Sequence, residues 1–262
     1  MIQSRQNSHL KTVRKLRRSR GDAALLEGEH LVREAVRSGL RLAWLLLTPR
    51  QAETDWGREL LRSPHIGAAS LIAPELLAEV SDADTPHGPV ALCELPRRGV
   101  EELPLVAGGC YLLLDRIQDP GNLGALARVA EATGCAGLAL SPGCVHPNHP
   151  RALRASAGSL LRLPVAIEAA IEPLLARLRP LAPALVGLAA HGGEDLEGTA
   201  LDGAIVLALG SEGEGLDKAV TARLDRAVTI PLAPPVESLN VAVAAAVALF
   251  ERRRRRGARG GA

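Results

Sequence analysis

From residue 111 onward the chain is organised by one alternation. Near-continuous apolar runs at residues 111–114, 137–140, 165–167, 185–189, 205–209 and 228–230 are separated by stretches of helical spacing. Those stretches fall at roughly 123–133, 150–160, 169–179 and 216–224, and a last long one covers about 239–255. Apolar runs without polar alternation mark strands buried on both faces, as parallel strands are. Strand–helix repetition therefore predicts an α/β parallel sheet with helices on both faces. No repeat of fixed period is present.

Before residue 100 the pattern is shorter and more mixed. Apolar runs at 23–26, 42–47, 70–72 and 90–92 alternate with helical patterns at 10–19, 29–38, 54–61 and 74–80, which predicts a small α/β domain. Between the halves, Leu95-Pro96-Arg97-Arg98-Gly99-Val100-Glu101-Glu102-Leu103-Pro104 sets two prolines around a charged stretch, the composition of a linker. The expected division is 1–98, a linker at 99–107, and 108–262.

Several classes drop out. At 47% apolar and 23% charged residues the chain builds cores and is not disordered. No apolar run approaches the ~18–20 residues that span a bilayer, and the basic start lacks the apolar segment of a secretory signal. A soluble, cytoplasmic protein is the expectation. Cys93, Cys110, Cys135 and Cys144 form no CxxC pair and read as small buried hydrophobes in a reducing compartment. Aromatic residues amount to 2%, too few for a base-stacking platform.

Charge is unevenly placed. Residues 1–20 carry +7 and residues 251–262 carry +5, so with +2 overall the body between them carries −10. An acidic body with basic ends suggests a polyanion partner; a pair of solvated tails is the alternative, and the preferred one for the C-terminal arginine run. In the first twenty residues Lys11, Arg14, Lys15 and Arg18 fall at i, i+3, i+4, i+7, on one helical face.

In open α/β sheets ligands sit beyond the carboxyl ends of the strands. Three segments lie there. After the first strand of the second half comes Asp115-Arg116-Ile117-Gln118-Asp119-Pro120-Gly121-Asn122-Leu123-Gly124, with Arg128 further along; Pro-Gly turns the chain and Asn122 is placed to cap the helix. After the fifth comes Gly210-Ser211-Glu212-Gly213-Glu214-Gly215-Leu216, whose glycines admit a ligand against the main chain. Their spacing is neither GxGxxG nor a P-loop, which disfavours a dinucleotide or triphosphate. After the sixth comes Ile230-Pro231-Leu232, then Pro234-Pro235 and Ser238-Leu239-Asn240-Val241, where Ser238 is a candidate cap for the last helix. The cluster Cys144, His146 and His149 has no fourth ligand at zinc-site spacing and reads as a surface loop.

Asn122-Leu123-Gly124 with Arg128, Gly210-Ser211-Glu212-Gly213 with Gly215-Leu216, and Ile230-Pro231-Leu232 with Ser238-Leu239-Asn240-Val241 resemble, in order, the three signature motifs of SpoU-type RNA methyltransferases of the SPOUT superfamily. The front half is similar to their substrate-recognition domain in Asn7 with Lys11, Glu27-Gly28-Glu29 and Thr85-Pro86-His87-Gly88. Arg151 and Arg154 with Ser156 and Gly158 resemble a further family segment beside the active site. Two positions depart from the pattern: Pro234 stands where the family usually has glycine, and Ala242 where it often has a second serine.

The resemblance implies a trefoil-knotted SPOUT catalytic domain behind a ribosomal-protein-like RNA-binding domain, S-adenosylmethionine as methyl donor, and a homodimer. The reaction implied is methyl transfer to a ribose 2′-hydroxyl of RNA, ribosomal ahead of transfer RNA, with no DNA and no membrane partner. It places Ala189, Gly210, Ile230, Leu232 and Leu239 around the cofactor, and Arg128 on the substrate phosphate and hydroxyl. Asn122, Glu212, Ser238 and Asn240 would order the site. The resemblance places the last helix in a dimer interface, where its small apolar face, Val241, Ala244, Ala245 and Ala248, permits close packing; an ordinary core helix within one chain fits the same pattern. A non-catalytic RNA-binding protein that kept the fold is the alternative, and a nicotinamide-dependent oxidoreductase a distant third.

Overall fold

The structure, a computed structural model, describes residues 1–18, 23–79, 88–95, 99–211 and 213–259. In chain order its elements are α1 (Ser8–Arg18), β1 (Ala23–Glu27), α2 (Glu29–Arg37), β2 (Leu42–Leu47), α3 (Pro49–Ala52), α4 (Asp55–Leu61), β3 (Ala69–Leu71), α5 (Pro74–Glu79) and β4 (Val90–Glu94). The second half continues with β5 (Cys110–Leu114), α6 (Pro120–Thr133), β6 (Gly137–Leu140), α7 (Pro150–Ala155), α8 (Ser159–Arg162), β7 (Val165–Ala166), α9 (Ile171–Leu178) and β8 (Ala184–Ala189). It ends with β9 (Glu194–Asp195), β10 (Ile205–Leu209), α10 (Lys218–Thr221), β11 (Arg226–Thr229) and α11 (Val241–Arg259). Two compact units result: Met1–Arg97 with His146–Arg162, and Arg98–Val145 with Leu163–Ala262.

In the first unit the sheet runs β1-β4-β2-β3, with β4 antiparallel to both neighbours and β2–β3 parallel. Leu10 and Val13 of α1 are fully buried in its core beside Leu25, Trp44 and Leu46. Lys11, Arg14 and Lys15 consequently face solvent. The glycines of the front-half motifs have a packing reason: a Cβ on Gly88 would stand 2.3 Å from Gly28 Cα, and Gly28 itself has φ 98°. Thr85, Pro86 and His87 lie outside the described residues.

The division differs from a single cut near residue 100. Residues 146–162 belong to the first unit because their polar side chains bond there: Arg162 donates to Glu34 at 2.8 Å, Asn148 Nδ2 to the Ala23 carbonyl at 3.4 Å, and Arg154 lies 3.9 Å from the buried Glu27. Composition read along the chain does not reveal such an excursion. The 99–107 stretch, for its part, is fastened to the second unit. The chain's one tyrosine, Tyr111, donates to the Pro104 carbonyl (2.5 Å) and accepts from Val106 N–H (3.0 Å), and Arg177 donates to the Leu103 carbonyl (2.7 Å).

The second unit is the parallel sheet the apolar runs predict, in the order β7-β6-β5-β10-β8-β11-β9. β5, β6 and β10 are buried at every residue. Tyr111, Leu113, Val206 and Ala208 meet Leu174, Leu178 and Val220 on one face. The edge strand β9 has no counterpart among the apolar runs, because its two residues are both acidic. The 216–224 helical stretch shortens to α10, capped by Asp217, whose side chain accepts from Ala219 N–H at 2.8 Å.

The C-terminal arginine run corrects the expectation of a solvated tail. α11 extends through it, and its guanidiniums close off backbone carbonyls. Arg252, 6% exposed, donates to the Gly108 (2.9 Å) and Gly203 (2.6 Å) carbonyls; Arg253 reaches Ala132, Arg256 reaches Gly108, and Arg255 reaches Thr199, Leu196 and Glu197. Burial lowers the Arg252 pKa, yet two carbonyl acceptors hold it in place. Arg252→Ala should strand both carbonyls and open a void, costing about 3 kcal/mol in a urea unfolding curve. A change below about 0.5 kcal/mol, the range of ordinary surface substitutions, would return the run to the status of a tail.

Candidate functional site

The expected site residues that the structure describes lie in the second unit, at or beyond the carboxyl ends of its strands. Sheet order makes β10, β8 and β11 neighbours, with Leu209 opposite Leu188 and Thr229 opposite Ala189. The register thus brings Gly210, Ala189 and Ile230 to one edge. Ala189, Ile230, Leu232 and Leu239 are all half-buried, an apolar lining that is still accessible.

The loop after β10 is a tight hairpin. Ser211 and Gly215 form a bridge, with Gly215 N–H donating to the Ser211 carbonyl at 3.0 Å, and Gly215 has φ 67°. Gly210 has no room for a side chain: a Cβ there would lie 2.1 Å from the Gly215 carbonyl carbon and 2.4 Å from the Leu216 nitrogen. Glu212 falls outside the described residues.

After β5, Asp119 and not Asn122 caps α6: its side chain accepts from Asn122 N–H at 2.8 Å, with Pro120 in the first turn. The Asn122 carboxamide has a tertiary role instead, its Oδ1 accepting from Asn240 Nδ2 at 2.9 Å. At the start of α11 the cap is Asn240 and not Ser238, since Asn240 Oδ1 accepts from Ala242 N–H at 3.0 Å. Asn240 Oδ1 is fixed by its own helix, so its amide hydrogens are aimed at Asn122. Ser238 is exposed. Arg128 projects from the exposed side of α6, whose buried residues include Leu123, Gly124, Leu126, Ala127 and Ala130. No hydrogen bond or ion pair to Arg128 is present among the described residues.

Sequence reasoning missed a second set of residues. Asp115, 2% exposed, accepts from the Ser141 hydroxyl at 2.7 Å and from Asp217 N–H at 2.6 Å. Arg116 donates to Glu214 (2.6 Å) and to the Gly215 carbonyl (3.2 Å). The available signal was an acid set directly after an apolar strand.

Other candidates are accounted for locally. His146 Nδ1 accepts from Asn148 N–H and His149 Nδ1 from Arg151 N–H, each at 3.1 Å, so both rings serve turns. No group of three or more His, Cys, Asp or Glu could hold a metal among the described residues. A cleft of about 620 Å³ lies in the first unit, lined by Met1, Ile2, Gln3, Ser4, Asn7 and 69–71, and has no acidic or basic side chain for chemistry. Among the described residues no helix is long and apolar enough to cross a membrane.

The two halves match two family models, the SpoU rRNA methylase family over residues 109–250 and an MRM3-like substrate binding domain over 7–91. The chain is 35% identical to an uncharacterised tRNA/rRNA methyltransferase of Synechocystis sp., covering 97% of this chain and 93% of that one. It is 29% identical to the 23S rRNA (guanosine(2553)-2′-O)-methyltransferase RlmP of Bacillus subtilis, covering 96% and 98%. Among solved structures it is similar to the SpoU methyltransferase AviRb of Streptomyces viridochromogenes in complex with AdoMet. The TM-score there is 0.87, with 30% identity over 96% of this chain and 98% of that one. With its three carboxyl-end loops converging as described, the chain belongs to the SpoU rRNA methylase family.

Proposed function

We propose that this chain, an S-adenosylmethionine-dependent RNA 2′-O-methyltransferase, acts on ribosomal RNA as a cytoplasmic homodimer. The observation that carries the reading is the bond between Asn122 and Asn240, 118 positions apart, in the unit that also forms the Gly210–Gly215 hairpin. The apolar positions Ala189, Ile230, Leu232 and Leu239, with the half-buried backbone at Gly210, suit an adenosyl group. S-adenosylmethionine, when bound, supplies an electrophilic methyl on a sulfonium.

A ribose hydroxyl is a weak nucleophile, so the chain's own task is orientation and proton management. Arg128 engages the substrate phosphate and stabilises negative charge developing on the 2′-oxygen as its proton passes to solvent water. The Asn122–Asn240 pair ties the two helix starts together, while Ser238 and Glu212 complete the polar set assigned to the substrate. DNA lacks the accepting hydroxyl and is not a substrate. The trefoil threading of the C-terminal segment belongs to the same reading, as does RNA recognition by the first unit.

Dimerisation is assigned to a different face of α11 from the small apolar one of Val241, Ala244, Ala245 and Ala248. Val241, Ala245 and Ala248 are buried within the chain, where α11 packs on α6. Val243, Val247 and Phe250, at i, i+4, i+7, are the exposed apolar stripe and suit a second copy. The function is tested by incubating purified protein with S-adenosylmethionine and either ribosomal or transfer RNA, then digesting to nucleosides for mass spectrometry. A 2′-O-methyl nucleoside from ribosomal RNA is expected; none from either RNA would sink the reading.

RNA capture rests on phosphates, given so few aromatics. Deleting residues 1–20 would strip Leu10 and Val13 from the first unit's core, so the informative variant neutralises only Lys11, Arg14, Lys15 and Arg18. Its log–log salt dependence of RNA binding should flatten by about 3, at roughly 0.7–0.9 for each phosphate no longer neutralised. An unchanged slope in a folded variant would place the RNA elsewhere.

A further inference from the structure

The carboxyl ends of β6, β5 and β10, neighbours in the sheet, are tied together by one buried carboxylate. Asp115 follows β5. Its N–H donates to the Leu209 carbonyl at the end of β10 (2.8 Å), and one carboxylate oxygen accepts from Ser141, which follows β6 (2.7 Å). The other accepts from the backbone N–H of Asp217, two residues past the glycine hairpin (2.6 Å). Burying a carboxylate is costly unless its lone pairs are used, and both oxygens are in use. Arg116 adds a second tie. Its backbone, at φ 55°, donates to the same Ser141 hydroxyl at 3.0 Å, and its guanidinium grips Glu214 and the Gly215 carbonyl.

Both ties end on the same side of the hairpin. Gly215 and Asp217 are held from outside, while Gly210 is backed directly against Gly215 and Leu216. Without them the loop's own bonds among the described residues are the Ser211–Gly215 bridge and the Glu214 N–H to the Ser211 hydroxyl at 3.4 Å. A tie serving the sheet alone would have no need to reach residues 214–217.

We infer that Asp115 and Arg116 are positioning residues that hold the Gly210–Gly215 hairpin in its cofactor-receiving shape. The inference rests on the proposed cofactor reading, and its test separates the two. Hydrogen–deuterium exchange on the full chain without cofactor reads the hairpin directly, and calorimetry with S-adenosylmethionine reads the consequence. Asp115→Ala removes the acceptor for Asp217 N–H and should speed exchange of the 210–217 peptide about ten-fold, with a similar rise in cofactor Kd. Asp115→Asn should restore both, because its carbonyl can face Asp217 N–H while its amide donates to the rotatable Ser141 hydroxyl.

Arg116→Met, which leaves the buried carboxylate in place, should give the same change in smaller measure and decides the matter if Asp115→Ala does not fold. Unchanged exchange at 210–217 in folded Asp115→Ala and Arg116→Met would overturn the proposal. So would acceleration spread evenly over the sheet, the sign of a merely structural role. Should the unaltered protein fail to bind S-adenosylmethionine, the functional reading falls, and the exchange data still decide the positioning role.

Discussion

Arg128→Ala should lower methyl transfer by about 10²- to 10³-fold at saturating S-adenosylmethionine, the loss typical of removing one preorganised charge-stabilising donor. The cofactor Kd should change by less than about two-fold, since a truncated surface residue moves binding energies by no more than about ±0.5 kcal/mol. The asymmetry follows from placement. Arg128 stands on the exposed side of α6, whereas the positions proposed to line the cofactor lie at or beyond the ends of β8, β10 and β11. Arg128→Lys should recover little, because a point charge cannot reproduce a planar fork on a phosphate and a hydroxyl. Single-turnover methylation beside calorimetry separates the two quantities. Alanine-variant activity within a few-fold of the parent would make Arg128 an ordinary surface residue.

What was legible in the sequence, and what was not, divides along physical lines. The parallel sheet was readable because strands buried on both faces must be apolar throughout, as at 110–114 and 205–209. The three candidate segments stood out because each follows a strand: β5 and β10 are buried throughout, and β11 is flagged only by the short apolar run at 228–230. The two caps were misassigned for a common reason. Asp119 and Asn122, like Ser238 and Asn240, are all competent caps, and only the helix's actual first turn decides between them. Once the caps are fixed, the two asparagines prove to have a tertiary partner in each other, a pairing across 118 positions that no local rule contains.

The arginine run misled in the opposite sense. Six arginines in twelve residues suggest solvent or a polyanion, yet Arg252 is buried on two carbonyls. A cation's destination depends on which backbone acceptors fold up beside it, and those at 108 and 203 are far away in sequence. Asp115 was overlooked for the same cause. Its donors, Ser141 and Asp217, become its neighbours only when β6, β5 and β10 align.

Gly210→Ala should weaken S-adenosylmethionine binding by at least about 100-fold, because an atom 2.1 Å from a backbone carbon displaces the chain and not a side chain. The hairpin has no slack to absorb it: Gly215 is bridged to Ser211, and its carbonyl is held by Arg116. Gly215→Ala makes a graded comparison. A Cβ there meets nothing within 4 Å, and the cost is the left-handed backbone at φ 67°, about 1–2 kcal/mol for a residue other than glycine. That cost corresponds to roughly a ten-fold loss of affinity if it falls wholly on the bound shape of the loop. Steric displacement should therefore exceed conformational strain by an order of magnitude in the same titration, with the fold checked by circular dichroism. If Gly210→Ala binds the cofactor as well as the parent, the adenosyl group does not lie against this loop, and the backbone contact assigned to Gly210 is wrong.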